Sequence, residues 1–186
     1  MADRAADEAL GAAAAARRNL RRAVFFDRDG TLNHDEGYTH RAEDLVWNPG
    51  AIEAVRLANE AGYLAIVATN QSGIGRGLFD EAAMHAFHAR MKRDLEAAGA
   101  RLDAIYFCPY VPEATHPDYR HPDHPDRKPN PGMLKRAIEE LAIDPLRSVM
   151  IGNSPDDLAA ARAAGIAGHL YQGGDLAALL RRALNL

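Results

Sequence analysis

Two aspartates separated by one residue, Asp27 and Asp29, close the apolar run Val24-Phe25-Phe26 and are followed by Gly30 and Thr31. Carboxylates held together in a crevice can ligate a divalent cation through oxygen, and one of them can attack an electrophile. Thr69 and Asn70 follow a second apolar run, and their hydroxyl, amide and backbone donors suit phosphate oxygens. The glycine-rich Gly73-Ile74-Gly75-Arg76-Gly77 beyond them permits close backbone approach. Lys128, within Arg127-Lys128-Pro129-Asn130-Pro131-Gly132, is a compact point charge able to neutralise a transferring phosphoryl group. A fourth apolar run ends in Gly152-Asn153, with Ser154, Asp156 and Asp157 accounted for as helix-capping and dipole-matching residues. Each feature alone is weak, since a D-x-D often only caps a turn and most lysines are solvated. Their common position at strand ends is what gives the set weight.

The elements that must position these residues alternate from Ala23 onward between strand and helix patterns, the signature of an α/β parallel sheet covered by helices. The first strand is followed by an irregular stretch, Asn33 to Trp47. A helix is expected next, with Asn48 as N-cap, Pro49 at its first position, Ile52 and Val55 inward and Gly62 closing it. Leu64 to Ala68 reads as the second strand and Ala104 to Cys108 as the third. Between them, a helix from about Asp80 to Ala98 carries Met84, Phe87, Met91 and Leu95 at helical spacing, as core. Asn130-Pro131 opens a further helix, Ser148 to Ile151 forms the fourth strand, and Ser154 caps the next helix with Asp157 completing a capping box. A last strand near Ala167 to Tyr171 and a helix from about Asp175 end the domain.

Two segments break the rhythm. Residues 1–22 are alanine-rich and end in arginines, an extension with few large apolar side chains to bury, leaving residues 23–186 as one domain. Residues 109–127 hold five prolines and three histidines, a long loop with no packed element. The formal charge of −4 argues against a nucleic-acid binder, and no apolar segment is long enough to span a bilayer. A single cysteine, Cys108, excludes an intrachain disulfide framework. A cytoplasmic monomer without nucleic-acid or membrane partners is expected.

The string D-x-D-G-T after a strand, then strand-Thr69, Lys128-Pro129 and strand-Gly152-Asn153 with Asp157 resembles, in order, the four motifs of the haloacid-dehalogenase-like (HAD-like) phosphatases. Asp27 to Asn33, Gly37-Tyr38, Thr69 to Gly77 and Arg127-Lys128-Pro129-x-Pro131-Gly132-Met133 resemble, more narrowly, the D-glycero-D-manno-heptose 1,7-bisphosphate 7-phosphatases. The resemblance implies a three-layer Rossmann-like fold with a minimal loop cap at 109–127, and Mg²⁺-dependent hydrolysis of a phosphorylated sugar. By the same resemblance Asp27 is the nucleophile, Asp29 the general acid and base, and Thr69 and Lys128 steady the phosphoryl charge. Asp27, Asp29 through its backbone carbonyl, and Asn153 would hold Mg²⁺, while Asp35, Glu36, Gly37, Tyr38, Asn70, Gln71, Ser72 and Arg127 would meet the substrate.

Two positions depart from that family. Asn153 stands where most members have aspartate; its amide oxygen can ligate Mg²⁺ but brings no charge, which implies weaker metal binding. The Cys-x-His…Cys-x-Cys zinc loop of many members is represented by Cys108, Tyr110, His124 and Asp126. Of these, Cys108, His124 and Asp126 make a degenerate ligand set and tyrosine a poor ligand, so zinc is not expected. The alternatives are a phosphatase for histidinol phosphate or another small phosphomonoester, and a catalytically weak protein that binds phosphorylated sugars.

Overall fold

The computed structural model describes residues 19–186, so the N-terminal extension lies almost wholly outside the described residues. Its expected last residue, Arg22, instead opens the first strand, with its guanidinium on the carbonyl of Ala61 at 2.8 Å and 4.2 Å from the centre of the Tyr63 ring. Five strands form one wholly parallel sheet: β1 Arg22–Phe26, β2 Tyr63–Asn70, β3 Ala104–Cys108, β4 Val149–Gly152 and β5 Ala167–Leu170, in the order β3-β2-β1-β4-β5. Successive residues of each central strand face opposite layers, as pleating requires. Val24 and Phe26 join Ala65, Val67 and Ile151 on one face, while Ala23 and Phe25 join Leu64, Ile66 and Met150 on the other.

Helices cover both faces. The helices α1 (Ala51–Glu60), α3 (Glu81–Ala97) and α6 (Leu176–Leu184) pack on the first face, and α4 (Gly132–Glu140) and α5 (Pro155–Ala163) on the second. The short α2 (Ser72–Gly75) follows β2 directly. The expected stripe of α3 holds: Met84, Phe87, Met91 and Leu95 are all fully buried, and Asp80 caps the helix through the Ala83 amide.

Three local expectations are corrected. Asn48 does not cap α1: the cap is Gly50 at φ +74, and the Asn48 amide donates instead to the carbonyl of Thr31 at 2.9 Å, back towards the β1 turn. Asn130 does not cap α4 either, since its amide reaches the His124 carbonyl at 3.1 Å and the Asp123 carboxylate at 2.5 Å. The loop 109–127 is not without structure: it holds a largely exposed 3-10 turn, Pro117–Tyr119, and buries Val111 and Ala114.

The junction of β4 and α5 is the tightest approach that bears on the strand ends. Ser154 and Asp157 form the expected capping box, and Asp157 is folded so closely under β4 that a Cβ on Gly152 would lie 2.4 Å from its side chain. A methyl group there must displace Asp157 or the strand end. Gly152→Ala is therefore expected to lower stability by about 1–3 kcal/mol, as overpacking does. Urea unfolding measures it, and an unchanged midpoint would contradict the packing described.

Candidate active site

Because every strand runs the same way, the C-terminal ends of β1, β2 and β4 share one edge, where the loops must leave the sheet. Asp27 follows β1 immediately, and its amide continues the ladder onto the Ile151 carbonyl of β4 at 2.9 Å. Its carboxylate meets Lys128, which reaches the same edge from the loop before α4. The Lys128 ammonium donates to Asp27 Oδ1 at 2.6 Å, to Asp157 Oδ1 at 2.6 Å and to the Ala68 carbonyl of β2 at 2.8 Å. All three N–H donors are thereby used, so the ammonium is fixed in direction as well as position. The Lys128 backbone is clamped too: the Asn70 amide donates to its carbonyl at 3.0 Å and accepts from its N–H at 3.1 Å. The Lys128–Pro129 peptide that follows is cis.

The electrostatics follow from that arrangement. Burial disfavours the charged lysine, yet the facing carboxylates of Asp27 and Asp157 outweigh it and hold the ammonium above its ordinary value. Asp27 shows the opposite balance. Burial pushes its carboxyl up to about 6, with Asp157 and Asp29 adding repulsion against the pull of Lys128. Two carboxylates share one ammonium, so this buried cluster carries one surplus negative charge.

Asp29 is held by other partners. Arg28, fully buried, grips both its oxygens, Nε on Oδ1 and Nη2 on Oδ2, each at 2.8 Å. Asn33 donates to Oδ1 at 3.1 Å and Gln71 to Oδ2 at 2.8 Å. The Gln71 amide also reaches Thr69 Oγ1 at 2.9 Å, tying Thr69 to the second aspartate. Gly30 turns the chain away at φ +75 and lies under Asn153, whose Nδ2 would be 2.2 Å from a Cβ there. Asp27, Asp29, Thr69, Lys128 and Asn153 thus come together at one edge, as the motif order requires.

The expected substrate residues divide. Asn70 and Gln71 spend their side-chain amides inside the site, on Lys128 and on Asp29 with Thr69, so they act as braces. Glu36, Gly37 and Tyr38 line an exposed cleft of about 630 Å³ on the loop after β1, with Asp35 accepting the Thr39 amide at 3.0 Å. Arg28 tethers that loop through the Thr39 carbonyl at 2.8 Å. Ser72 opens α2, and Arg127 donates to the Tyr110 carbonyl at 3.1 Å. Arg28 and His88 carried no expected role, and Asp157, expected as a helix cap and as part of the fourth motif, also binds the Lys128 ammonium. The available signals were an arginine between two aspartates and a histidine on the apolar stripe of α3.

The donor set of Asp27, Asn153 and the Asp29 carbonyl fits a hard, oxygen-seeking cation, and the surplus negative charge of the cluster favours one. The zinc-loop positions do not form such a set. The Tyr110 ring stacks on His124 at 3.8 Å between centroids, His124 Nδ1 accepts the Asp126 amide at 3.1 Å, and Arg136 holds the Asp126 carboxylate at 2.7 Å. Cys108 lies 4.0 Å from His124, and burial pushes its thiol up to about 11. Among the described residues no three His, Cys, Asp or Glu side chains converge on a metal position. Nor is any helix among them long and apolar enough to cross a membrane.

Known proteins resemble this chain in sequence and in fold. The HAD-hydrolase-like family profile matches residues 126–183. A D-glycero-beta-D-manno-heptose-1,7-bisphosphate 7-phosphatase of Rhodopseudomonas palustris is 41% identical over 88% of this chain and 91% of its own. A D-glycero-D-manno-heptose-1,7-bisphosphate 7-phosphatase of Thermosynechococcus vestitus is 47% identical, over 83% of this chain and 80% of its own. The crystal structure of D,D-heptose 1,7-bisphosphate phosphatase from B. bronchiseptica, complexed with magnesium and phosphate, superposes with a TM-score of 0.78 and 31% identity. That match covers 88% of this chain and 98% of that one.

The raised Asp27 carboxyl has a consequence for stability. Its folded value of about 6 exceeds its ordinary 3.8, so between the two the folded protein binds more protons than the unfolded chain. Stability from this group is complete below about pH 4 and is lost as the pH rises through about 6. Asp27→Asn removes the titration. Measured by urea unfolding in EDTA, the variant should gain stability relative to the parent across that interval and no further above it. A pH-independent difference would contradict the assignment.

Proposed function

The chain belongs to the heptose 1,7-bisphosphate 7-phosphatase family of the haloacid-dehalogenase-like phosphatases, and from that premise we propose that it removes the 7-phosphate of D-glycero-D-manno-heptose 1,7-bisphosphate. It is a phosphoric monoester hydrolase. The buried Asp27–Lys128–Asp157 cluster is the observation that carries the chemistry, and the substrate is supported by a relative with that name, 41% identical over 88% of this chain.

In this reading an Asp27 carboxylate oxygen attacks the phosphorus of the 7-phosphate. The bond from phosphorus to the sugar oxygen breaks, its electron pair stays on that oxygen, and Asp29 passes to it the proton taken from water in the preceding turnover. In the second half Asp29 takes a proton from water, the water oxygen bonds to phosphorus, and the bond to Asp27 breaks to release inorganic phosphate. With its value of about 6, the Asp27 carboxyl is ionised at neutral pH and ready to attack. Lys128 keeps that carboxylate aimed and its charge, with the Thr69 hydroxyl, steadies the phosphoryl oxygens, so positioning and charge carry the catalysis. Mg²⁺ would be held by the Asp27 carboxylate, the Asp29 carbonyl and the Asn153 amide oxygen, and when bound it supplies positive charge to the phosphoryl group. Glu36, Gly37 and Tyr38, with Asp35, Ser72 and Arg127, form the surface for the sugar and its second phosphate. A cytoplasmic monomer is part of the same reading.

Phosphate release from heptose bisphosphate, histidinol phosphate and an aryl phosphate, with and without Mg²⁺, tests the substrate. The heptose compound is expected to have the highest kcat/KM and Asp27→Asn to abolish turnover; preference for histidinol phosphate would overturn the substrate, and active Asp27→Asn the mechanism. Asn153 lends the metal no charge, so Asn153→Asp is expected to tighten Mg²⁺ binding about tenfold. Calorimetric titration of Mg²⁺ into both proteins reads this directly, and equal affinities would contradict the role given to position 153.

A further inference from the structure

One buried histidine faces the site from a helix otherwise given over to core. His88 lies on α3 between Phe87 and Met91, is 5% exposed, and places Nε2 at 3.2 Å from Nη1 of Arg28. A guanidinium only donates, so this contact is a hydrogen bond only when Nε2 is unprotonated and accepts. The surroundings keep it so: burial, with Arg28, His85 and Lys92 nearby, pulls the imidazole down to about 3. The neighbouring Phe87 ring lies under the same guanidinium, 4.6 Å from Cζ. Arg28 is therefore located on three sides, by the Phe87 face, by His88 and by the Thr39 carbonyl at 2.8 Å. Its remaining fork grips both oxygens of Asp29.

We propose that His88 is a positioning residue for proton transfer: it fixes Arg28, and Arg28 holds the Asp29 carboxylate where the leaving oxygen needs its proton. The inference rests on the phosphatase reading and on Asp29 as its acid. Neighbouring residues of a turn rarely pair without support, because a bidentate ion pair between positions 28 and 29 has to be held in one rotamer against many others. His88 supplies that support without adding charge. A leucine of similar bulk would leave the Nη1 donor facing an apolar wall and free the fork to turn.

The test uses the leaving group. An alkyl phosphomonoester needs a proton on its departing oxygen, whereas p-nitrophenolate leaves as a stable anion and needs none. kcat/KM reports only the steps up to loss of the alcohol, so the later use of Asp29 as base does not enter. For His88→Leu, kcat/KM on heptose bisphosphate, or on whichever alkyl phosphomonoester the parent hydrolyses fastest, is expected to fall about 10- to 100-fold. On p-nitrophenyl phosphate it should fall less than about threefold. His88→Gln, which keeps an acceptor, should recover most of the alkyl activity. Arg28→Lys keeps the charge but loses the fork, and should show the same selective loss if His88→Leu does not fold. Equal losses on both substrates, no loss on either, or a glutamine variant no better than leucine would overturn the proposal. Because any alkyl ester serves, failure of the heptose assignment is seen separately, as a different preferred substrate of the parent protein.

Discussion

A lysine ammonium buried between two carboxylates is the constraint around which the rest is arranged. Removing ions from water costs several kcal/mol each, and only close partners with every donor used offset that cost. Lys128 meets the condition with Asp27, Asp157 and the Ala68 carbonyl, all within 2.8 Å. Each partner comes from a different element: the end of β1, the first turn of α5 and the interior of β2. The sheet, one helix and the loop before α4 must therefore be in register before the charge can be buried. Asn70 closes the arrangement by gripping the lysine backbone on both its polar groups. The surplus negative charge is what remains, and it explains both the raised Asp27 carboxyl and the suitability of the place for a cation.

The two aspartates of D-x-D, one residue apart, are given different surroundings, which suits them to the different parts proposed for them. Asp27 faces inward to a cation and a second carboxylate, nearly dry. Asp29, half-buried, is surrounded by N–H donors from Arg28, Asn33 and Gln71. Gly30 makes the separation possible, since its left-handed conformation turns the chain at once and brings Asn153 over the backbone. Pairs of titratable groups in contrasting environments are how one pocket performs both nucleophilic and acid–base steps.

Much of this was legible in the chain. The continuous apolar runs Ala23–Phe26 and Leu64–Ala68 needed only the pleat to become central strands buried on both faces, and the stripe Met84–Leu95 only the helical period. The strand-end residues could be read because a parallel sheet must put those ends on one edge. Caps were read less well. Asn48 and Asn130 are good N-cap residues by type, but tertiary acceptors, the Thr31 and His124 carbonyls, took their side chains. An amide after a strand likewise says nothing about which way it turns, and those of Asn70 and Gln71 turn onto Lys128 and onto Asp29 with Thr69. Arg28 and His88 were unreadable in a stronger sense. Their 60-residue separation gives no pattern, and His88 at a core position looks like one more packed side chain.

The loop 109–127 is held together by a cluster of aromatic side chains. Its stiffness has an identifiable source, since the Tyr110 ring lies flat on His124, edge-on to Tyr119 and near-perpendicular to His121. The backbone then locks onto the segment carrying the lysine: the Arg127 N–H donates to the His124 carbonyl at 3.0 Å, and the Arg127 guanidinium returns to the Tyr110 carbonyl at 3.1 Å. The residue stacked by Tyr110 is thus four positions from Lys128 and bonded to its immediate neighbour. The aromatic cluster and the buried charge are thus joined through a short run of backbone, from His124 through Arg127 to Lys128.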